Sequence, residues 1–192
     1  MRTAIPAVLG VLLATLLVGG FVVMLARPNR ESTPVESVQT ISALPQANDA
    51  LIETDFTVLS YHITNCGSCH GNLGEQHIKS QLAAMNDITL LRVVREMTEG
   101  QGQAPLSDAA ELGALVAFHR SVQSDRPFLT ISSATNGMNG EITPGFSLTL
   151  INARGQESAA VVTGNQWSST SPDAVRFVVS SREGTTTIFK RP

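Results

Sequence analysis

The spacing of apolar positions along this chain changes twice. From Ala4 to Ala26 the residues are apolar without a single charge, a length that can cross a bilayer as a helix. Over residues 50–126 the apolar residues recur at helical spacing, and over residues 127–192 they alternate with polar residues as in half-buried strands. The pattern therefore predicts a transmembrane helix, an all-α region and a small all-β region, in that order.

These changes divide the chain into four parts. Residues 1–27 are predicted to be a transmembrane anchor, with a cleaved signal peptide as the alternative. Residues 28–49 are rich in Ser, Thr, Pro, Glu and Gln, which favours a flexible tether. Residues 50–126 and 127–192 are predicted to fold as separate domains.

Three helices are predicted in the α region. The first covers about residues 51–62, where apolar side chains fall near helical spacing. The second begins at Asp87 as N-cap and stops at Gly100, and the third begins after Ser107 or Asp108. Their order leaves two loops, one before Asp87 and one at Gly100.

Short runs rich in Val, Ile, Phe and Thr follow, separated by Gly, Asn, Pro and Ser. The runs are Phe128–Ser133, Phe146–Asn152, Ala159–Thr163, Val175–Ser180 and Thr185–Lys190. They predict a small antiparallel immunoglobulin-like sandwich or barrel. Trp167 lies in a polar stretch, and it is interpreted either as an interface anchor or as a cover for one end of the sheet.

The most specific motif is the pentapeptide from Cys66 to His70, with Cys69 as its second cysteine. This spacing is that of covalent c-type haem attachment, with both thiols on the porphyrin and His70 as proximal iron ligand. A disulfide, half of a zinc site or a thioredoxin-like redox pair are the alternatives. Zinc would require further ligands at similar spacing, and the chain has only two cysteines. One covalent haem c is therefore predicted.

With these features, residues 50–126 resemble a class I monohaem cytochrome c domain. The matching segments are Asn65–Gly71 with Gly74, Val94-Arg95 leading into Gly100 and Gly102, Pro105–Asp108, and Leu115–Phe118 in a closing helix. The family usually places a methionine before the proline of the glycine loop as distal iron ligand. Here Glu99–Pro105 contains none, and Met97 is taken as the distal ligand.

The distal position has several alternatives. Met97 is equally well explained as a core methionine beside the haem. A water-bound or open sixth site is another alternative, and it would permit small ligands to bind. The remaining candidates are His77, Met85, His119 and Met138.

The function follows from the haem. The net charge of −3 and the lack of a basic run argue against nucleic acid as a partner. The resemblance implies an electron carrier rather than an enzyme, single-pass in the inner membrane with its bulk on the periplasmic side. Its partners would be the lipid bilayer and redox proteins or subunits of a larger respiratory or photosynthetic complex. The alternatives are a haem-based ligand-binding or sensor protein with an open distal site, and a structural or assembly subunit whose β domain is the working part.

Overall fold

The computed structural model of the chain describes residues 51–191, which all fall within one compact unit of residues 41–192. The predicted anchor at 1–27 and the predicted tether at 28–49 lie outside the described residues. Within them the protein is a mixed α/β structure, in which short helices precede a β-sandwich-like body.

Five helices form in the described part of the chain. They are α1 (Val58–Asn65), α2 (Gly67–His70), α3 (Lys79–Ala84), α4 (Asp87–Glu99) and α5 (Ala109–Gln123). The two longest are capped by side chains: Asn86 accepts from the Thr89 N–H before α4, and Asp108 accepts from the N–H groups of Ala110 and Glu111 before α5. Each cap satisfies backbone donors that a helix start leaves unpaired.

Nine strands of the described residues form two sheets. The strands are β1 (Ile52–Glu53), β2 (Thr130–Ala134), β3 (Gly137–Glu141), β4 (Ser147–Asn152), β5 (Glu157–Ala159), β6 (Val161–Thr163), β7 (Gln166–Ser169), β8 (Ala174–Ser180) and β9 (Thr186–Lys190). The five-stranded sheet has the order β1-β2-β3-β7-β6, and the four-stranded sheet has the order β5-β4-β8-β9. All pairs are antiparallel except β1 with β2, which is parallel.

The alternating pattern of β4 and β8 builds the core between the sheets. Leu148 lies opposite Val179 and Leu150 opposite Phe177, and all four are buried. Burying side chains of this size contributes about 1.5–3 kcal/mol each. Trp167 of β7 joins the same core at 2 % exposure. The tryptophan therefore belongs to the interior of the β body and is not an exposed anchor.

The helices have a second apolar core, in which α5 is central. Leu112, Leu115 and Phe118 are buried there, and Phe118 meets Phe128 edge-on at a ring-centroid distance of 5.5 Å. Arg120 extends from α5 to the turn between α3 and α4. Its guanidinium donates to the carbonyls of Leu82 and Met85 at 2.8 and 2.6 Å and to Asp87 at 2.8–2.9 Å. These bonds hold α5 against the other helices.

Glu141 of β3 joins the sheet to the start of α1. Its buried carboxylate accepts from the N–H groups of Leu59 and Ser60 at 2.7 and 3.0 Å and from the Ser60 hydroxyl at 2.7 Å. Asn165 and Gln166 donate to the same carboxylate from their side-chain amides, at 3.1 and 3.0 Å. A negative charge at a helix start is favourable, because the first N–H groups of a helix lack partners within it.

The expected fold class is wrong in one central respect. Residues 50–126 are not an all-α cytochrome c domain, because they open with a strand, β1, that pairs with β2 of the sandwich. The first predicted helix begins only at Val58, and the Glu141 carboxylate accepts a hydrogen bond from the Leu59 N–H in its first turn. The fold therefore does not support the resemblance of residues 50–126 to a class I monohaem cytochrome c domain. The domain boundary between residues 126 and 127 remains a prediction.

The expected single-pass location in the inner membrane is also not supported. Among the helices of residues 51–191, none is both long and apolar enough to span a bilayer. The predicted anchor itself falls outside the described residues.

Candidate metal centre

Three of the four histidines of the chain meet in the helical region. His62 comes from α1, His119 from α5, and His77 from the loop between α2 and α3. One ring nitrogen from each lies within 4.8 Å of the others. His62 and His119 are buried, and His77 is half-buried. Three nitrogen donors from three separate segments therefore converge on one point.

Aromatic packing orients the two helical histidines. The ring of Phe118 lies 4.7 Å from that of His62, between α5 and α1, and His119 follows Phe118 in the sequence. The rings of His62 and His119 meet at 83°, with centroids 5.9 Å apart. The packing of α1 on α5 thus determines where both imidazoles lie.

The loop brings His77 back to the cluster through a glycine. Gly74 has φ +75°, a conformation that side chains rarely adopt. The His77 N–H donates to the Gly74 carbonyl at 3.0 Å. A Cβ on Gly74 would lie 2.7 Å from Cδ2 of His77 and 3.2 Å from a methyl of Val122. Glycine is therefore required both by the turn and by the closeness of the imidazole.

Backbone carbonyls determine which ring nitrogens carry hydrogen in His62 and His119. Nδ1 of His119 lies 2.7 Å from the Leu115 carbonyl, and Nε2 of His62 lies 3.2 Å from the Gly71 carbonyl. A carbonyl oxygen only accepts, so each of these nitrogens carries the N–H. The lone pairs therefore belong to Nε2 of His119 and Nδ1 of His62. A backbone acceptor on the second ring nitrogen is the usual arrangement for a metal-binding histidine.

Two nitrogens of this cluster lack hydrogen-bond partners. Within the described residues, the buried side-chain nitrogen and oxygen atoms without a partner are Nδ1 of His62 and Nε2 of His77. A buried polar atom left unsatisfied costs about 1–3 kcal/mol. Both unpaired atoms belong to the same group of three rings. Their grouping indicates that these nitrogens bind an ion or a ligand.

The histidines are poor bases in this setting. Burial lowers the pKa of His119 to about 3 and that of His77 to about 4. The imidazoles of His62 and His70 lower both pKa values further, and His77 also lowers that of His119. Burial likewise lowers the pKa of His62. All three are neutral near pH 7, and a neutral imidazole is the form that binds metal.

The distances suit a metal ion after a small contraction. Donors no more than 4.8 Å apart can all be reached from a point about 2.8 Å from each, and metal–imidazole bonds of about 2.0–2.1 Å would need each to move inward by about 0.7 Å. The arrangement can therefore bind an ion through three nitrogens.

Two of the sequence-predicted distal-ligand candidates, His77 and His119, are members of this cluster, whereas Cys66, Cys69, His70 and Met97 are not. Cys66 is a half-buried free thiol and Cys69 an exposed one. Burial raises the pKa of the Cys66 thiol, and the neighbouring Cys69 adds to the rise. His70 stacks on His77 at a ring-centroid distance of 4.3 Å and an angle of 15°. Met97 lies on α4 with 38 % of its surface exposed, and its assignment as a metal ligand remains a prediction.

A covalent haem c is not supported by this arrangement. One face of His70, the expected proximal ligand, packs against the ring of His77. The imidazoles next to it form a compact nitrogen cluster. The histidine cluster, and not an iron porphyrin, is the site that the described residues define.

Sequence reasoning considered His77 and His119 only as single distal-ligand candidates beside a haem, and it gave His62 no role in a site. Ligands drawn from two helices and a loop have no fixed spacing in sequence, so no motif announces them. The available signal was weaker: a chain with four histidines places all of them between residues 62 and 119.

Comparisons of the chain with protein-family models, with curated proteins and with solved structures find no match.

Proposed function

We propose that the described unit binds one copper ion through His62, His77 and His119 and uses it to carry single electrons to or from a redox protein partner. The observation that carries the proposal has two parts: each of the three imidazoles has a ring nitrogen within 4.8 Å of the others, and two of the rings, those of His62 and His77, have a buried nitrogen without a hydrogen-bond partner. The proposal keeps the electron-carrying role expected from the sequence and assigns it to a different centre.

The chemistry of the donors supports a late transition metal. Calcium and magnesium prefer oxygen ligands, whereas imidazole nitrogen suits zinc, copper, iron and nickel. Among divalent first-row ions, copper binds such sites most tightly. Copper also changes its charge by one electron, which zinc does not. A site of three imidazoles therefore favours copper where an electron must move.

The surroundings support electron transfer at this centre. Neutral ligands among buried apolar side chains favour the lower charge of Cu(I) and so raise the reduction potential. His70 is half-buried and stacks on His77, which places an aromatic ring between the cluster and the surface. A partner docked over His70 would stand close to the metal.

A structural zinc ion is the second candidate. The three ligands come from α1, α5 and the loop that carries His77, so one ion would link all three segments. Such a link would stabilise the helices by the free energy of metal binding. It would do so without any redox chemistry.

Metal loading of the full-length protein tests the proposal. The chain is stripped with a chelator, given Cu²⁺ or Zn²⁺, passed through a desalting column and assayed for metal by mass spectrometry. With Cu²⁺ we expect one ion per chain, held by the histidines, nitrogen hyperfine structure in its electron paramagnetic resonance spectrum, and a reversible one-electron wave. Tight zinc binding with copper that cannot be reduced reversibly would favour the structural alternative.

Single substitutions of the four histidines provide the control. His62→Gln, His77→Gln and His119→Gln should each lower copper affinity at least tenfold, since each removes a ligand. His70→Gln should keep one copper per chain. Equal binding by all four variants would overturn the proposal. So would a visible haem spectrum that stays with the denatured chain, because it would show a covalent porphyrin at Cys66 and Cys69.

A further inference from the structure

From Cys69 through His70 and His77 to His119, the metal-binding residues become more buried. The Cys69 thiol is exposed, His70 and His77 are half-buried, and His119 is buried. His70 stacks on His77, and the rings of His77 and His119 lie 4.8 Å apart. Cys69 precedes His70 in the same helical turn, so the thiols lie within one turn of a row of imidazoles that ends at the candidate copper centre.

The outer end of this series is a pair of thiols held by a tight turn. The N–H groups of Cys69 and His70 donate to the Cys66 carbonyl at 3.1 and 3.0 Å, so α2 is a single helical turn between the two cysteines. The Cys66 N–H donates to the His62 carbonyl at 2.8 Å. The turn that carries both thiols is thereby attached directly to α1 and its ligand His62.

We propose that Cys66 and Cys69 form a second, soft-metal site that takes up Cu(I) at the surface and passes it to the histidine centre. This inference rests on the proposed function, since it assigns the source of the copper. Thiolates prefer Cu(I), whereas imidazoles also hold Cu(II). Both thiols are free, and Cys69 is accessible to a donor.

The transfer is a ligand exchange that balances without an oxidant. Two thiols lose their protons as Cu(I) binds, giving a bis-thiolate complex with one negative charge. When Cu(I) moves to the imidazoles, the two thiolates take back two protons and no electron moves. His70 lies between the two sites and positions the exchange, because it is bonded to Cys69 along the chain and stacked on His77.

Cu(I) held by bicinchoninate, under argon, is the probe for the full-length reduced protein. Thiolate-to-copper charge-transfer absorption reports the outer site, and the Cu(II) resonance signal after oxidation reports the inner one. The wild-type chain should take up two Cu(I) ions. The double variant Cys66→Ser/Cys69→Ser should take up one, lack the charge-transfer band and fill the inner site at least tenfold more slowly. Ser107→Ala, an exposed change outside the turn that carries the two cysteines, should behave as wild type.

The two proposals fail in different ways in this experiment. A double cysteine variant that loads the histidine centre as fast as wild type, and a wild type with no thiolate band, would overturn the loading route and leave the copper centre intact. His119→Gln should retain one Cu(I) at the thiols and lose the inner signal. If His119→Gln and wild type have the same inner signal, the histidine centre itself is wrong.

Discussion

Two buried polar groups of this protein differ in whether their hydrogen-bonding atoms have partners. The Glu141 carboxylate, 1 % exposed, accepts hydrogen bonds from Leu59, Ser60, Asn165 and Gln166. The histidine cluster includes His62 of α1, the helix whose start Glu141 contacts. Nitrogens of two of its rings have no hydrogen-bond partner. A fully paired polar group stabilises the fold, whereas an unpaired one is tolerated where it binds something. The Glu141 carboxylate therefore serves the fold, and the histidine cluster is the candidate for function.

The largest effect is expected from removing the paired group. Glu141→Ala should lower the free energy of unfolding by about 3 to 5 kcal/mol, because several buried donors lose their acceptor at once. Glu141→Gln keeps one carbonyl acceptor and should lose less. Urea unfolding of the metal-free protein measures both. A loss below 1 kcal/mol for the alanine variant would contradict a structural role for this carboxylate.

The matched change in the cluster is His77→Leu. Leucine removes an unpaired nitrogen and retains apolar volume, so the metal-free stability should change by less than about 1 kcal/mol while copper binding is lost. If this variant were destabilised as much as Glu141→Ala, the cluster would be a packing element like the carboxylate, and the contrast would fail.

Acid should act on the cluster with an intermediate effect. The pKa values of His77 and His119 fall from an ordinary value of 6.5 to about 4 and about 3 on folding. Below pH 6.5 the unfolded chain therefore binds protons that the folded chain refuses, and stability falls as the pH falls. Each histidine contributes about 1.2 kcal/mol between pH 7 and 5.5, so the metal-free protein should lose about 2.5 kcal/mol over this range. The His77→Leu variant should show a slope smaller by one proton in unfolding experiments across this range.

A smaller effect on stability than that of Glu141→Ala, and the effect most specific to the position of one imidazole, is expected at Gly74. Gly74→Ala introduces strain at φ +75° and a contact with His77, which should cost about 1–2 kcal/mol and weaken copper binding about tenfold. Gly155→Ala is the control: it has φ +79° but no atom within 4 Å of the added Cβ. It should lose stability without affecting copper. Equal copper affinities in the two variants would show that Gly74 does not position the imidazole.

Local sequence signals predicted several elements well. Asp108 was one of two caps proposed for the last helix, and its carboxylate does cap α5. The alternating run Phe146–Asn152 corresponds to β4, and Val175–Ser180 to most of β8. In these segments each residue's preference agrees with the packing around it. Such agreement makes a local pattern readable.

Other strands left no such signal. β3 consists of Gly137 to Glu141, with two glycines and an asparagine, and it is a strand because β2 and β7 pair with it on both sides. One of those glycines, Gly140, lies so close to Trp167 that a Cβ there would be 2.9 Å from the indole nitrogen. The segment is shaped by its neighbours rather than by its own propensity.

The sequence by itself determined the closing helix with its Asp108 cap, the alternating strands β4 and β8, and which residues carry metal-binding chemistry. Only the tertiary structure decided how that chemistry is grouped. The Cys66–His70 segment suggested a haem because its three donors lie within five residues of the chain. His62, His77 and His119 meet only when α1, α5 and a glycine turn pack together. The Glu141 carboxylate accepts a hydrogen bond from Leu59, 82 positions away in the chain, for the same reason. Contacts of this kind depend on the packing of whole elements, and no local pattern records them.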